Sequence, residues 1–137
     1  MPANIYIIED HLLVREMLAE FIDQMADLSV CGSAATAQEA LAQIPTLVVD
    51  LAVIDVSLPD MDGIQLVSEL RARQPALRCL MFSGHQERGY VQRALAGGAS
   101  GYVAKGNPPE LVTAIRLVLT GETYVSPSLH PRFVALW

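Results

Sequence analysis

Basic residues are scarce in this chain of 137 residues. Nine Lys and Arg stand against fifteen Asp and Glu, a net charge of −6 with His neutral. Gripping nucleic acid takes an excess of Lys and Arg on one face, so direct nucleic-acid binding by these residues is not expected. Cysteine is nearly absent. Cys31 and Cys79 each stand alone within an apolar stretch, and no C-x-x-C pair occurs. That excludes a zinc ribbon or dithiol chemistry and predicts two small core residues. No apolar run approaches the roughly 18 residues that a membrane span needs. Met1-Pro2-Ala3-Asn4 has no basic stretch leading into an apolar core, so no secretion signal is expected. A cytoplasmic location without membrane partners is the expectation. Internal repeats and low-complexity segments are missing too.

About half of the residues are hydrophobic, 52%, enough to bury one core in a chain of single-domain length. The hydrophobic period switches repeatedly between strand-like and helix-like. Asn4 to Ile8 reads as a continuous apolar strand ending at Glu9-Asp10. Val14, Met17, Leu18, Phe21, Ile22 and Met25 then fall on one helical stripe. Leu28 to Ser33 reads as a second strand. Thr36 is placed to cap the next helix, with Glu39 completing a capping box, and Pro45 ends it. Leu51 to Ile54 is apolar on both faces, as a central strand covered by helices should be. A turn-rich run, Ser57 to Gly63, leads into a helix over Ile64 to Arg73. Cys79 to Phe82 and Gly101 to Ala104 read as two further strands. Glu87 to Ala96 and the stretch opened by Pro108-Pro109 read as helices, the latter with Leu111, Ile115, Val118 and Leu119 inward and Gly121 at its end. Five strands alternating with five helices predict a doubly wound α/β fold, a parallel sheet with helices on both faces.

In such sheets ligands bind beyond the carboxyl ends of the strands. The first strand delivers Glu9 and Asp10 there, the third Asp55, the fourth Ser83 and the fifth Lys105. Three carboxylates at about 5 Å and an effective dielectric near 20 repel by roughly 3 kcal/mol per pair. A divalent cation relieves that repulsion. An all-oxygen set with few protein donors suits Mg²⁺ keeping part of its water shell. Asp10 and Asp55 are the expected direct ligands, with the Ser57 backbone carbonyl as a third and Glu9 acting through water. A carboxylate is also a nucleophile toward phosphorus. Asp55, on the central strand, is best placed for that role. Lys105 would neutralise a phosphoryl oxygen, and the Ser83 hydroxyl would donate to another.

These residues resemble response-regulator receiver domains. The likeness is carried by Ile8-Glu9-Asp10, by the run from Asp55 to Gly63 (Asp-Val-Ser-Leu-Pro-Asp-Met-Asp-Gly), by Phe82-Ser83-Gly84 and by Gly101-Tyr102-Val103-Ala104-Lys105. It extends over about Asn4 to Thr120. The Gly121 to Pro127 stretch is similar to the NarL/FixJ (LuxR)-type subfamily. The resemblance implies a flavodoxin/CheY-like fold of five parallel strands in the order 2-1-3-4-5. It implies Asp55 as phosphoacceptor, Mg²⁺ as cofactor and a sensor histidine kinase or phosphotransfer protein as donor. Catalysis would be confined to the domain's own phosphorylation and dephosphorylation. Ser83 would move toward the phosphoryl group, Tyr102 would turn inward behind it, and homodimerisation or output activity would follow from a shift between two states. In this family the positions of Ser57 and His85, two after the phosphoacceptor and two after the hydroxyl, tune phosphoryl lifetime. Gly106 follows Lys105 where many members have Pro in a cis bond. The cis geometry is not expected to carry over, although Gly can take an unusual backbone. His11 is given no chemical role.

Residues 1–120 are read as the receiver and 121–137 as a linker or tail lacking a DNA-binding domain. A chain ending at Trp137 favours truncation of a transcription regulator. The alternative is a stand-alone receiver that shuttles phosphoryl groups or binds a protein, or a receiver-like module that is never phosphorylated. A haloacid-dehalogenase phosphatase needs a second Asp where Ser57 stands, and its nucleophile lies nearer the N-terminus. A flavodoxin-like cofactor binder needs a Ser/Thr/Gly-rich loop where Glu9-Asp10-His11 stands. Neither pattern is met.

Overall fold

The computed structural model describes residues 1–129. Six strands form one parallel sheet in the order β2-β1-β3-β4-β5-β6. These are β1 (Ala3–Ile8), β2 (Leu28–Ala34), β3 (Leu51–Ile54), β4 (Arg78–Ser83), β5 (Gly101–Ala104) and β6 (Tyr124–Val125). The helices are α1 (Leu12–Asp23), α2 (Ala37–Gln43), α3 (Gly63–Arg73), α4 (Arg88–Ala96) and α5 (Pro108–Leu119). A short 3-10 turn over Ile44–Thr46 holds Pro45 and follows α2.

Strand side chains alternate between two cores, as the two-residue period of a strand demands. Ile5, Ile7, Leu51, Val53, Leu80, Phe82 and Val103 pack with α1 and α5. Tyr6, Ile8, Ala52, Ile54, Cys79, Met81 and Tyr102 pack with α2, α3 and α4. Both faces being covered explains why the strands read as unbroken apolar runs. Thr36 caps α2 as its sequence position predicts, its hydroxyl accepting from the Glu39 N–H at 3.1 Å. Asn107 caps α5 in the same way, accepting from Glu110 N–H at 3.1 Å, with prolines filling the first turn.

Three features differ from the sequence expectations. The α1 stripe is narrower than six residues. Leu18 and Ile22 are buried, while Met17 is 53% exposed. One residue is about 100° around a helix, so Met17 turns out to the rim when Leu18 faces the sheet. Cys79 is buried, but Cys31 is only half-buried. The β1–β2 register steps from Ile5–Val30 to Tyr6–Gly32, leaving Cys31 out of the pairing.

The sheet also has a sixth strand, built from residues assigned to the tail. Tyr124 N–H donates to Ser100 O at 3.1 Å and Ser126 N–H to Tyr102 O at 3.0 Å. The buried Ser126 hydroxyl accepts from Ala104 N–H at 2.9 Å, and Leu129 is fully buried. A two-residue strand is too short to show a period, which is why pattern reading passes over it. Gly101 makes room for it, since a Cβ there would lie 2.3 Å from the Tyr124 carbonyl oxygen. Residues 130–137, and with them the expectations about Trp137, lie outside the described residues.

Candidate functional site

The carboxyl edge of the sheet is set by ladder hydrogen bonds that run one residue past the strands. Glu9 N–H donates to Ala34 O, Asp55 N–H to Ile8 O and Lys105 N–H to Ser83 O, each at 3.0 Å. The backbones of three charged residues are thus fixed as firmly as strand residues, with their side chains aimed beyond the sheet. Asp55 and Lys105 open onto a hollow of about 330 Å³ lined also by Asp10, His11, Ser57, Gly84 and His85, and Glu9 meets it through Lys105.

Lys105 is the chain's only lysine. Its Nζ lies 2.7 Å from Glu9 Oε1 and donates to Asp55 Oδ2 at 3.0 Å. Both carboxylates are nearly sealed from water, Glu9 at 2% and Asp55 at 5% exposure. Burial by itself pulls the Lys105 ammonium down, but the bonds and charges of Glu9 and Asp55 outweigh it and hold the lysine above its ordinary value. The second oxygens are engaged by backbone. His11 N–H donates to Glu9 Oε2 at 3.0 Å, and Ser57 N–H to Asp55 Oδ1 at 3.3 Å. Arg15 donates to the Glu9 carbonyl at 2.8 Å.

One ammonium among three carboxylates leaves an anionic surplus. Asp10 is the open member, its side chain 36% exposed on the hollow. The carboxylates of Glu9 and Asp10 and a ring nitrogen of His11 have ligand atoms within 4.8 Å of one another. His11, to which the sequence reading gave no role, caps α1 without a side-chain bond and places Nδ1 3.6 Å from both acids. The donor set is predominantly oxygen and anionic, which fits a hard divalent cation.

A second group closes the hollow from the β4 side. Ser83 is fully buried, and its Oγ accepts from His85 N–H at 3.1 Å. A hydroxyl that accepts one bond still has its proton to donate. Tyr102 is also fully buried, and its hydroxyl donates to the His85 carbonyl at 2.5 Å. Burial pushes the phenol up to about 12, so it stays protonated. The ring expected to turn inward with switching is already inside here. His85 Nε2 lies 2.8 Å from Ser57 Oγ, which joins the two expected lifetime-tuning positions directly.

The loop from Ser57 to Gly63 does more than sequence reading assigned to it. Asp60 accepts from the first N–H groups of α2, Ala37 and Gln38, both at 2.9 Å. Those backbone bonds hold its carboxyl below the ordinary value. Asp62 caps α3, accepting from Ile64 N–H at 2.7 Å. Gly63 is forced by close approach, because a Cβ would stand 2.0 Å from the Asp55 carbonyl oxygen. An Asp just ahead of an apolar-periodic helix is a readable cap signal for Asp62. Asp60 serves a helix more than twenty residues back, and no local signal marks it.

Residues 5–116 match the response regulator receiver domain family. The chain belongs to that family. The receiver is 34% identical over 127 residues to the transcriptional regulatory protein UhpA of Escherichia coli, covering 92% of this chain and 63% of that one. It is 37% identical over 121 residues to the DNA-binding transcriptional activator DevR/DosR of Mycobacterium tuberculosis, covering 88% and 56%. The chain thus spans less than two thirds of the length of these relatives. Among solved structures, a LuxR-family two-component response regulator from Aurantimonas sp. SI85-9A1 superposes with a TM-score of 0.94 at 33% identity, covering 99% of this receiver and 98% of that chain. The fold is the flavodoxin/CheY-like one, extended by β6. Among the described residues, no helix is long and apolar enough to cross a membrane.

Proposed function

We propose that this receiver accepts a phosphoryl group on Asp55 in a Mg²⁺-dependent step. The observation that carries the reading is the sole lysine, bonded at 3.0 Å to the buried Asp55 and 2.7 Å from Glu9, beside the open carboxylate of Asp10. Asp10, Asp55 and the Ser57 backbone carbonyl would hold the ion, with Glu9 reaching it through water. Bound there, Mg²⁺ would neutralise and orient phosphoryl oxygens. An Asp55 carboxylate oxygen attacks phosphorus, and the bond to the donor breaks with its electron pair leaving on the donor. Lys105 offsets charge on one phosphoryl oxygen, and Ser83 donates its hydroxyl proton to another. Beyond making and hydrolysing its own aspartyl phosphate, the domain catalyses nothing.

The donor class is a histidine kinase or a phosphotransfer protein. The output is transcriptional, through homodimerisation and a DNA-binding part of the kind the longer relatives are named for. Ser83 and Tyr102 carry the switch, and Ser57 with His85 sets the lifetime. The anionic balance of −6 supports a receiver that does not itself touch nucleic acid.

The test is intact mass after incubation with acetyl phosphate and Mg²⁺. Wild type gains one phosphoryl group, the gain needs the metal, and Asp55→Asn shows none. A wild type that gains nothing under saturating donor overturns the reading in favour of a receiver-like binding module.

A further inference from the structure

Tyr90 projects from the first turn of α4 and stacks on His85, with ring centroids 4.5 Å apart and planes 23° apart. The Arg93 guanidinium lies over the Tyr90 ring too, 5.1 Å from its centroid. Arg93 in turn reaches Asp62 at 3.8 Å. Asp62 is paired with Ser57 by an isolated antiparallel bridge, and Ser57 Oγ lies 2.8 Å from His85 Nε2. The five residues therefore form a closed circuit, Ser57–His85–Tyr90–Arg93–Asp62, joining both ends of the β3–α3 loop to α4. Ser57 and His85 lie on the rim of the hollow, and Asp55 is at its floor.

Resting on the phosphoacceptor reading above, we propose that Tyr90 is a positioning residue for hydrolysis of the aspartyl phosphate. In that step a water oxygen bonds to phosphorus, the phosphorus–Asp55 oxygen bond breaks with its electron pair returning to the carboxylate, and the water proton leaves on the phosphate. Water must approach in line, opposite the departing Asp55 oxygen, and so from the solvent side, between Ser57 and His85. An imidazole clamped between the Tyr90 face and the Ser57 hydroxyl narrows that approach. Aromatic stacking is orientation-dependent, so the clamp depends on where the Tyr90 ring lies. The site and the α4 surface are thereby linked through a side chain other than the Ser83–Tyr102 pair.

The experiment loads the whole chain with acetyl phosphate and Mg²⁺, removes the donor and follows loss of the phosphoryl mass. Tyr90→Ala is expected to decay about 5-fold faster than wild type, equivalent to about 1 kcal/mol off the barrier. Tyr90→Phe, which keeps the stack, is expected to match wild type. His85→Ala should also accelerate decay, and the double variant should decay no faster than the quicker single one, because the two act as one unit. Tyr90→Leu replaces the alanine variant if the latter fails to fold or load. Unchanged or slower decay in these variants overturns the proposal, as does a Phe variant as fast as Ala or a double variant whose effects multiply. A wild type that never loads fails the phosphoacceptor reading instead, so the two failures are distinct.

Discussion

At the carboxyl edge of the sheet, two carboxylates are almost sealed from water, and the one ammonium that serves them is about a quarter exposed. At the amino edge, Arg116 clasps Asp27 with two bonds of 2.9 Å, and both side chains are about half exposed. The same two ionic group types meet at each end, yet the balance differs. Arg116 and Asp27 neutralise each other one to one. Lys105 serves Glu9 and Asp55 at once, and Asp10 beside them has only the His11 ring, at 3.6 Å, and no Lys or Arg. A complete pair in solvent needs nothing further, and it contributes little. An incomplete set under burial is costly as it stands and would be relieved by a further cation, and that asymmetry is what separates the candidate site from the other end. Counting salt bridges would miss it.

Removing the carboxyl-edge cation should break the comparison most severely. Lys105→Met leaves Glu9 and Asp55 buried without their cation, which costs about 3 kcal/mol in metal-free buffer by denaturant melts. Mg²⁺ should restore part of that loss in the variant, since a cation again offsets the two acids. Phosphoryl loading from acetyl phosphate should fall by about 100-fold. A variant as stable as wild type without metal would mean that the Lys105 bonds offset little. The pH profile sharpens the point. The lysine's folded value is raised, so its contribution is present below 10.5 and lost as pH rises through the folded value. Wild-type stability should therefore drop in strong alkali more than that of Lys105→Met.

A smaller effect is expected from the loop that frames the same edge. Gly63→Ala drives a Cβ into the Asp55 carbonyl, which lies at 2.0 Å. Relief requires the start of α3 to back away, at a cost of about 2–3 kcal/mol. Because the Asp55 backbone is pinned to Ile8 by 3.0 Å, the shift falls on the Ser57–Gly63 loop. Loading on Asp55 should weaken while the chain still folds, measured by intact mass alongside the unfolding midpoint. Gly89→Ala makes the control, since a Cβ there meets nothing within 4 Å and the residue does not line the hollow.

The alternation of strand and helix and the placing of Glu9, Asp10, Asp55, Ser83 and Lys105 at one edge of the sheet are legible because each lies within two residues of the end of an apolar run. A strand's length and direction deliver its last residue to the edge without any knowledge of packing. What stayed hidden depends on contacts between distant segments. Asp60 caps a helix that precedes it by more than twenty residues. β6 is too short to have a period and is recognisable only once Gly101 is seen to lack room for a side chain. Met17 belongs to the apolar stripe by spacing, but how wide a stripe the sheet covers depends on how α1 is tilted against it. The single lysine was a readable signal that spacing arguments do not weigh. With no other ammonium side chain to choose from, position 105 stands out by count alone.

The smallest effect belongs to the amino edge. Arg116→Ala removes a bidentate pair that ties α5 to the turn ahead of β2. That turn keeps its backbone anchor, Ala3 N–H to Asp27 O at 3.0 Å, so no element is released. The Arg116 bond holds the Asp27 carboxyl below its ordinary 3.8, with the guanidinium charge acting the same way. A lowered folded value means the pair stabilises the fold above 3.8 and loses that contribution as pH falls through the folded value. The gap between wild type and variant in a denaturant melt should therefore be slight at neutral pH, shrink with added salt and close in acid. Should Arg116→Ala instead cost as much as Lys105→Met in metal-free buffer, burial would not be what separates the two ends, and the incompletely neutralised, buried carboxylates would no longer mark the carboxyl edge.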